Sequence, residues 1–321
     1  MSESVEPQMM PLRVTRNDRI ADGIHLMEFR DNGGKALPAF AAGAHLAIRV
    51  PNGLIRKYSL CNDPAEHDRY LIAVKREANG RGGSASLIDT VQVGDQLMVA
   101  PPVNDFPLPQ RAQDFIFIAG GIGITPIMAM IRQVLAEGKR FRLFYCTRSP
   151  ETTAFLDELS GPAYAGKVTI HHDYGDPARS LDLRPVLAER QNREHLYCCG
   201  PRPLMETVRE LTAHWSHAAV HFEAFSDAET HKADDKPFKV RLAKSGTVID
   251  VPVTKTILEA LRDAGHTVPS SCEGGTCGTC RTKLISGEVD HRDLFLTEAE
   301  RKDNIMICVS RARSDEITLD L

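Results

Sequence analysis

Along the first third of the chain, apolar positions come in short runs broken by Gly, Pro, Asn and Asp: HLAIRV, KYSLC, YLIAVKR and, after a Val-Gly-Asp turn, QLMVA. Many short strands punctuated in this way predict a small antiparallel barrel. The pattern breaks at 101–111 (PPVNDFPLPQR), where prolines crowd together. Beyond it, fully apolar runs alternate with stretches of helical periodicity: FIFIAG before PIMAMIRQVLAEG, FRLFYCTR before TTAFLDELS, and HLYCCG before PLMETVRELTAHW. Strands buried on both faces read as continuous apolar runs, so residues 112–225 are predicted to be doubly wound α/β around a parallel sheet. Residues 226–236 (SDAETHKADDK) are almost free of apolar side chains and read as a linker. After them, FKVRLA and TVIDVP flank a turn at Lys244-Ser245-Gly246, and TILEALRDAGH has a helical period just ahead of a cysteine-rich loop. The chain thus divides into 1–111, 112–225, the linker 226–236 and a small last domain, 237–321, with no internal repeat.

Length and composition agree with several domains of ordinary globular protein: 321 residues, 42% hydrophobic and 26% charged. No apolar run is long enough to span a bilayer, so no membrane association is expected. The opening MSESVEPQMMPLRV lacks the basic start and apolar core of a secretory signal, which points to a cytoplasmic chain. A formal net charge of -4 with no local basic run removes nucleic acid as the default partner.

Eight cysteines in a reducing compartment call for an explanation other than disulfides. Four are scattered (Cys61, Cys146, Cys198, Cys199), whereas Cys272, Cys277, Cys280 and Cys308 form a local system. The spacing Cys272-x4-Cys277-x2-Cys280 with a distant Cys308 matches a plant-type iron–sulfur centre, which draws three thiolates from one tight loop and one from elsewhere. The small residues between them (Gly274, Gly275, Gly278, Thr276, Thr279) let backbone amides approach the inorganic sulfides. Tetrahedral zinc also takes four thiolates, but usually from two short CxxC pairs. Four cysteines without a Cys-x-His pair exclude a Rieske arrangement, so a low potential is expected, near the roughly -400 mV of plant-type ferredoxins. Such a centre moves one electron at a time and must be loaded by something else in the chain.

Two further signals concern nucleotides. Gly120, Gly121 and Gly123 in GGIGITP follow the strand FIFIA and precede a helix, with Thr125 and Pro126 in its first turn. Such a turn suits a pyrophosphate at a helix amino terminus, with a mere tight turn as the lesser alternative. A second element, Cys199-Gly200-Pro201, again joins a strand to a helix, and two such turns can line the carboxyl edge of one sheet. Cys199 also reads as a plain core thiol. In the barrel region, Arg56-Lys57-Tyr58-Ser59 lies on a strand whose alternation puts Arg56 and Tyr58 on one face. The later Gly80-Arg81-Gly82-Gly83-Ser84 can donate several amides to a phosphate. An ordinary hairpin strand followed by a glycine loop would look the same.

The order RKYSL, AVKRE, GRGGS, GGIGITP, CCGP and CEGGTCGTC with distal Cys308 resembles the phthalate dioxygenase reductase family along essentially the whole chain. The resemblance implies an FMN-binding β-barrel domain (1–111), an NAD-binding α/β domain (112–225) and a plant-type 2Fe-2S ferredoxin domain of β-grasp fold (237–321). It implies that Arg56, Lys57, Tyr58 and Ser59 contact FMN, with Tyr58 against the ring and Ser59 near its reactive nitrogen. Ala73, Val74 and Lys75 would run along the flavin, and Gly82, Gly83 and Ser84 would hold its phosphate. Thr125 would approach flavin and nicotinamide together, and Phe225 would be the aromatic near the flavin. With Cys199, Gly200 and Pro201 on the nicotinamide side, the catalytic set is Ser59, Thr125, Cys199 and Phe225. Lys57 departs from the family pattern, which often has Thr there.

The expected function is electron transfer from NADH through FMN and a 2Fe-2S cluster to a terminal Rieske oxygenase acting on an aromatic acid such as phthalate. A hydride carries two electrons and iron–sulfur accepts one, so a flavin must stand between them. The reductase of a vanillate-type O-demethylase, or of another Rieske monooxygenase, would share every motif. A redox sensor without turnover is the alternative from another class, and steady-state cytochrome c reduction separates the two. NADPH would call for an Arg-rich pocket near Cys146-Thr147-Arg148-Ser149, with Asp173 further on; a single arginine there leaves both nucleotides open, and the resemblance implies NADH.

Overall fold

The short alternating runs form one antiparallel sheet in the order Ile55–Ser59, Ala44–Arg49, Gln96–Val99, Met10–Ala21, Ile24–Asp31, Tyr70–Lys75, with Val103–Asn104 added beside Ala44–Arg49. A bridge between Leu60 and Ile72 joins the two ends of this order and closes the barrel. Its interior holds Val14, Met27, Phe29, Leu46, Ile48, Ile72, Val74 and Val99, all almost fully buried. These are the inward positions that a period of two assigns. The computed structural model describes residues 8–78, 80, 82–191, 193–225, 232 and 234–321. Two compact units are resolved, Met1–His221 and Phe222–Leu321.

The long strand Met10–Ala21 escapes the apolar pattern because most of it faces water. Of its MPLRVTRNDRIA sequence only Leu12 and Val14 are buried.

The alternating segments after residue 112 give a five-stranded sheet in the order Val168–His172, Arg140–Thr147, Asp114–Gly120, Glu194–Cys199, Val220–Glu223. The three pairings among its first four strands are parallel. Asp114–Gly120, at the centre, is buried along its whole length, as its unbroken apolar run requires. The helix Ile124–Ala136 follows it directly. The helix read from TTAFLDELS shrinks to Leu156–Leu159, because Phe155 sits at φ 60°, a left-handed conformation that no helix continues through.

The proline-rich segment 101–111 interrupts secondary structure without interrupting packing. Phe106 is 3% exposed and belongs to one cluster with Leu26, Leu71 and Ala73 of the barrel and Phe117, Ile127 and Tyr197 of the α/β part. Tyr197 donates its hydroxyl to the Pro107 carbonyl at 2.6 Å. Arg132, on the helix Ile124–Ala136, donates to the Cys61 carbonyl and to Glu158 at 2.7 Å. Barrel and parallel sheet therefore form one body.

The second unit carries a mixed sheet in the order Val248–Val251, Phe238–Leu242, Glu316–Leu319, Arg281–Ser286, Asn304–Met306. The pairing of Phe238–Leu242 is antiparallel to the first of these and parallel to Glu316–Leu319. Its helix, Ile257–Asp263, starts from a capping box in which Thr256 and Glu259 each accept from the other's amide, at 3.1 and 2.8 Å. A mixed sheet with one helix packed into its core is the β-grasp arrangement expected for this segment.

Residues 226–231 and 233 of the expected linker, and Arg81 of the glycine loop, lie outside the described residues. The linker's last part does not behave as a tether. The Asp235 side chain is only 6% exposed, and its carboxylate receives Arg292, with Arg311 Nε at 3.5 Å. Its polarity reads as solvent exposure in the sequence, whereas its charge is neutralised inside the second unit. Among the described residues no helix is long and apolar enough to cross a membrane.

Candidate functional site

In the second unit the four C-terminal cysteines stand in two pairs. Cys272 and Cys277 share a hydrogen bond, as do Cys280 and Cys308, and Cys272 interacts electrostatically with both members of the other pair. The hydrogen bond from Cys272 lowers the Cys277 thiol to about 5 and pushes that of Cys272 up. Cys280 is likewise lowered by its bond with Cys308, whose own thiol is raised. The Gly274 amide and the Thr276 hydroxyl both donate to Cys272 Sγ at 3.4 Å. Two pairs suit a two-iron core, in which each iron takes two protein thiolates. Among the described residues no three His, Cys, Asp or Glu side chains gather as a single metal ion would need. Gly278 turns the loop at φ 82°, where a Cβ would lie 2.3 Å from the Phe295 ring, so neither backbone nor space admits a larger residue.

In the first unit, the two turns read separately from the sequence interlock at the carboxyl edge of the parallel sheet. Cys199 pairs with Ala119 on adjacent strands. A Cβ on Gly123 would lie 2.2 Å from the Cys199 carbonyl oxygen, and one on Gly120 2.5 Å from Pro201 Cδ. Gly120, Gly123 and Gly200 are thus small because the two turns press on each other. Gly121 differs: at φ 53° it has nothing near its missing side chain, which leaves its backbone open to a ligand. Thr125 is 2% exposed and donates its hydroxyl to the Ile122 carbonyl at 3.1 Å. The Cys199 side chain is fully buried.

The barrel strip runs to the same place. The strand Tyr70–Lys75 packs beside the turn Gly121–Gly123. Ala73 faces the core shared with the α/β part, Val74 faces the barrel interior, and Lys75 is exposed with Glu77 at 2.9 Å. Val74 therefore has only backbone to offer a ligand. Along Ile55–Ser59 the alternation holds for Arg56, Lys57 and Tyr58, and then Ser59 enters the core at 5% exposure. Burial raises the half-buried Tyr58 hydroxyl to about 12. Lys57 points away from Tyr58 towards Asp105, 4.0 Å distant.

The glycine loop joins this strand directly. A Cβ on Gly83 would come within 2.9 Å of both Cγ and Nε of Arg56, so Arg56 lies across the start of the helix Gly83–Thr90. Gly82 caps that helix at φ 80°, and Ser84 Oγ accepts from the Glu77 amide at 3.0 Å. A guanidinium laid over helix-terminal amides fits a phosphate group. These residues therefore fit a flavin mononucleotide whose ring would extend towards Tyr58.

At the ends of the two neighbouring strands, the Thr147 hydroxyl bonds Thr153 and His172 at 2.7 and 2.8 Å. The amides of Asp173 and Tyr174 reach back to the carbonyls of Thr147 and Arg148 at 3.1 and 2.8 Å. Arg148 and Asp173, far apart in sequence, are thus brought side by side. Phe225 belongs to the second unit and is 45% exposed. The neighbouring Ala224 carbonyl would lie 3.3 Å from a Cβ on Gly274, so this segment borders the cysteine loop. Sequence reasoning missed the buried Asp235 pairing, for which an isolated aspartate in a polar run gives no signal.

Residues 240–313 match the family described as 2Fe-2S iron-sulfur cluster binding domain, and residues 117–210 the oxidoreductase NAD-binding domain. The whole chain is 53% identical to the phthalate 4,5-dioxygenase oxygenase reductase subunit of Pseudomonas putida, over 100% of this chain and 99% of that protein. It is 40% identical to a vanillate O-demethylase oxidoreductase of a Pseudomonas strain, over 94% of this chain and 96% of the relative. A solved structure, titled as phthalate dioxygenase reductase and a modular structure for electron transfer from pyridine nucleotides to [2Fe-2S], superposes with a TM-score of 0.71 at 50% identity, covering 98% of both chains.

Proposed function

We propose a specific partner and a set of working residues for this chain, which belongs to the phthalate dioxygenase reductase family. It is an oxidoreductase that carries electrons from NADH through FMN and a 2Fe-2S cluster to an oxygenase. The flavin, when bound, supplies the exchange between a two-electron hydride and single electrons that the cluster can take. The observation that carries this reading is the pairing of four thiols in the same chain as a nucleotide-binding sheet edge.

Arg56 and the amides at Gly82, Gly83 and Ser84 hold the flavin phosphate, while the half-buried Tyr58 screens the ring. Ser59, Ala73, Val74 and Lys75 line the ring's edge. Gly121 admits the dinucleotide to the sheet edge, and Gly120, Gly123, Gly200 and Pro201 fix the shape of that edge by packing on one another. Thr125 and Cys199 are placed by the same contacts at the nicotinamide end. Asp173 beside Arg148 reads as the ribose-binding carboxylate that favours NADH. Cys272 and Cys277 hold one iron, Cys280 and Cys308 the other. The cytoplasm, which keeps thiols reduced, suits a chain that commits four of its cysteines to a cluster.

The terminal partner is a Rieske-type oxygenase of an aromatic dicarboxylate, supported by 53% identity to a phthalate 4,5-dioxygenase reductase subunit against 40% to a vanillate O-demethylase reductase. The test supplies the purified oxygenase components of both systems to the same reductase. A higher kcat/KM with the phthalate component is expected, and a preference for the vanillate component would reassign the partner.

Arg56→Ala tests the flavin assignment separately. A charged hydrogen bond is worth about 1.5–3 kcal/mol, so FMN affinity should fall by roughly ten- to a hundredfold. Fluorescence titration of the apoprotein with FMN measures it, and the iron–sulfur absorbance should be unchanged.

A further inference from the structure

We propose that a groove at the amino edge of the parallel sheet binds a small multivalent oxyanion, a carboxylate or a phosphate. The groove, about 860 Å³, lies between residues 109–113, the loop ahead of the strand Glu194–Cys199 and the turn that follows the helix Arg202–Leu211. That volume is within the range of small-ligand sites. The strands Asp114–Gly120 and Glu194–Cys199 run parallel, in register from Asp114 with Glu194 to Ala119 with Cys199. The groove therefore opens at the end of the sheet opposite Gly121 and is distinct from the dinucleotide edge.

Its charge is one-sided. Three guanidinium groups, Arg111, Arg190 and Arg193, line it with the imidazoles of His195 and His214, and no Asp or Glu is among the lining residues. Two carboxylates close by in sequence are committed elsewhere: Glu194 to Arg142 at 3.1 Å and the Gln191 amide at 3.2 Å, Asp114 to Arg140 at 2.8 Å. Arg190 spends Nε on the Glu194 carbonyl at 2.9 Å, which leaves the outer face of its guanidinium for another acceptor. Neither Arg111 nor Arg193 makes an ion pair among the described residues. Arg193 is moreover held at φ 62°, a left-handed conformation that is uncommon for any residue but glycine. In a chain of net charge -4, three guanidinium groups facing one groove repel one another until an anion enters.

The chemistry selects the ligand class. Guanidinium forks match the paired oxygens of carboxylate and phosphate, and three of them exceed what a monovalent anion can satisfy. Trp215 is 7% exposed and donates Nε1 to the Leu187 carbonyl at 3.1 Å, so the wall it forms is fixed before a ligand arrives. The inference is independent of the redox assignment, since none of these residues belongs to a proposed cofactor site.

The experiment titrates the full-length holoprotein calorimetrically, with the dinucleotide site filled by NAD+, using pyrophosphate in one arm and phthalate in the other. Saturable binding that weakens as salt rises is expected in at least one arm, and the tighter arm identifies phosphate or carboxylate as the source. The double variant Arg111→Ala/Arg193→Ala should weaken it by about tenfold or more, with the KM for NADH unchanged. Arg193→Gly removes one charge while relieving the left-handed backbone. It should weaken binding with thermal stability retained or raised, which separates loss of the site from loss of the fold. No saturable binding in either arm, or equal binding in wild type and Arg193→Gly, overturns the proposal. Slower oxygenase reduction in the variants without small-anion binding also overturns it, and assigns the groove to an acidic protein surface.

Discussion

Cys308→Ser is expected to reduce electron delivery to the oxygenase and to cytochrome c to background, while NADH oxidation by ferricyanide continues near the wild-type rate. Cys308 stands alone in sequence but forms the second pair with Cys280, so its loss leaves one iron with a single protein thiolate. Nothing in the first unit depends on it, because the barrel and the parallel sheet keep their own cores. The same split of activities is expected for Cys272→Ser, Cys277→Ser and Cys280→Ser, with loss of the visible cluster absorbance and retention of flavin. Changing Cys61 or Cys146, which lie in the first unit, should leave the cluster spectrum intact. A chain ending at residue 225, which keeps every strand of the parallel sheet, should behave like the cysteine variants. Full-rate oxygenase reduction by that truncated chain would show that electrons leave from the flavin, and the serial order would be wrong.

The parts of this molecule that were legible in the sequence are those where one local rule decides the outcome. The apolar run FIFIAG had to be a central strand because only burial on both faces tolerates it. The cysteine spacing identified its cluster because metal ligation leaves little freedom in a tight loop. What the sequence left undecided depends on contacts between distant segments. The glycines of GGIG look alike in sequence, yet Gly120 and Gly123 serve the packing of Pro201 and Cys199 while Gly121 alone stays open. Arg56 and Gly83 belong to separate motifs and become one site only when the barrel closes. The strand Met10–Ala21 was invisible because Thr15 to Arg19 is an unbroken polar run, and its place was decided by pairing on both sides.

Asp235 shows the same limit in its sharpest form, and its replacement should have the largest effect on stability of any change in a segment that reads as linker. Its carboxylate receives Arg292, one contact being Nη1 to Oδ2 at 2.9 Å, and Arg311 lies 3.5 Å away. The two arginine side chains are 5% and 3% exposed. Removing one partner of a buried ion pair costs about 3–5 kcal/mol, because a charge is left behind without compensation. Arg292 would keep Asp290 at 2.7 Å, and Arg311 would keep the carbonyls of Lys255, Lys236 and Pro252. Asp235→Ala should therefore fall near the lower end, about 3 kcal/mol, read as a shift in the denaturation midpoint of the iron–sulfur absorbance. The pH dependence follows from the same contact. The hydrogen bond from Arg292 lowers the Asp235 carboxyl from 3.8 to about 2. Its contribution is thus complete above pH 3.8 and is lost as pH falls towards 2, so wild type and Asp235→Ala should converge in stability on acidification. A ferredoxin fragment beginning at residue 237 should lose its cluster faster than one beginning at 232, since only the longer fragment brings the carboxylate with it. Equal stability of the two fragments, together with an unshifted midpoint for Asp235→Ala, would return this residue to the role of a solvated tether.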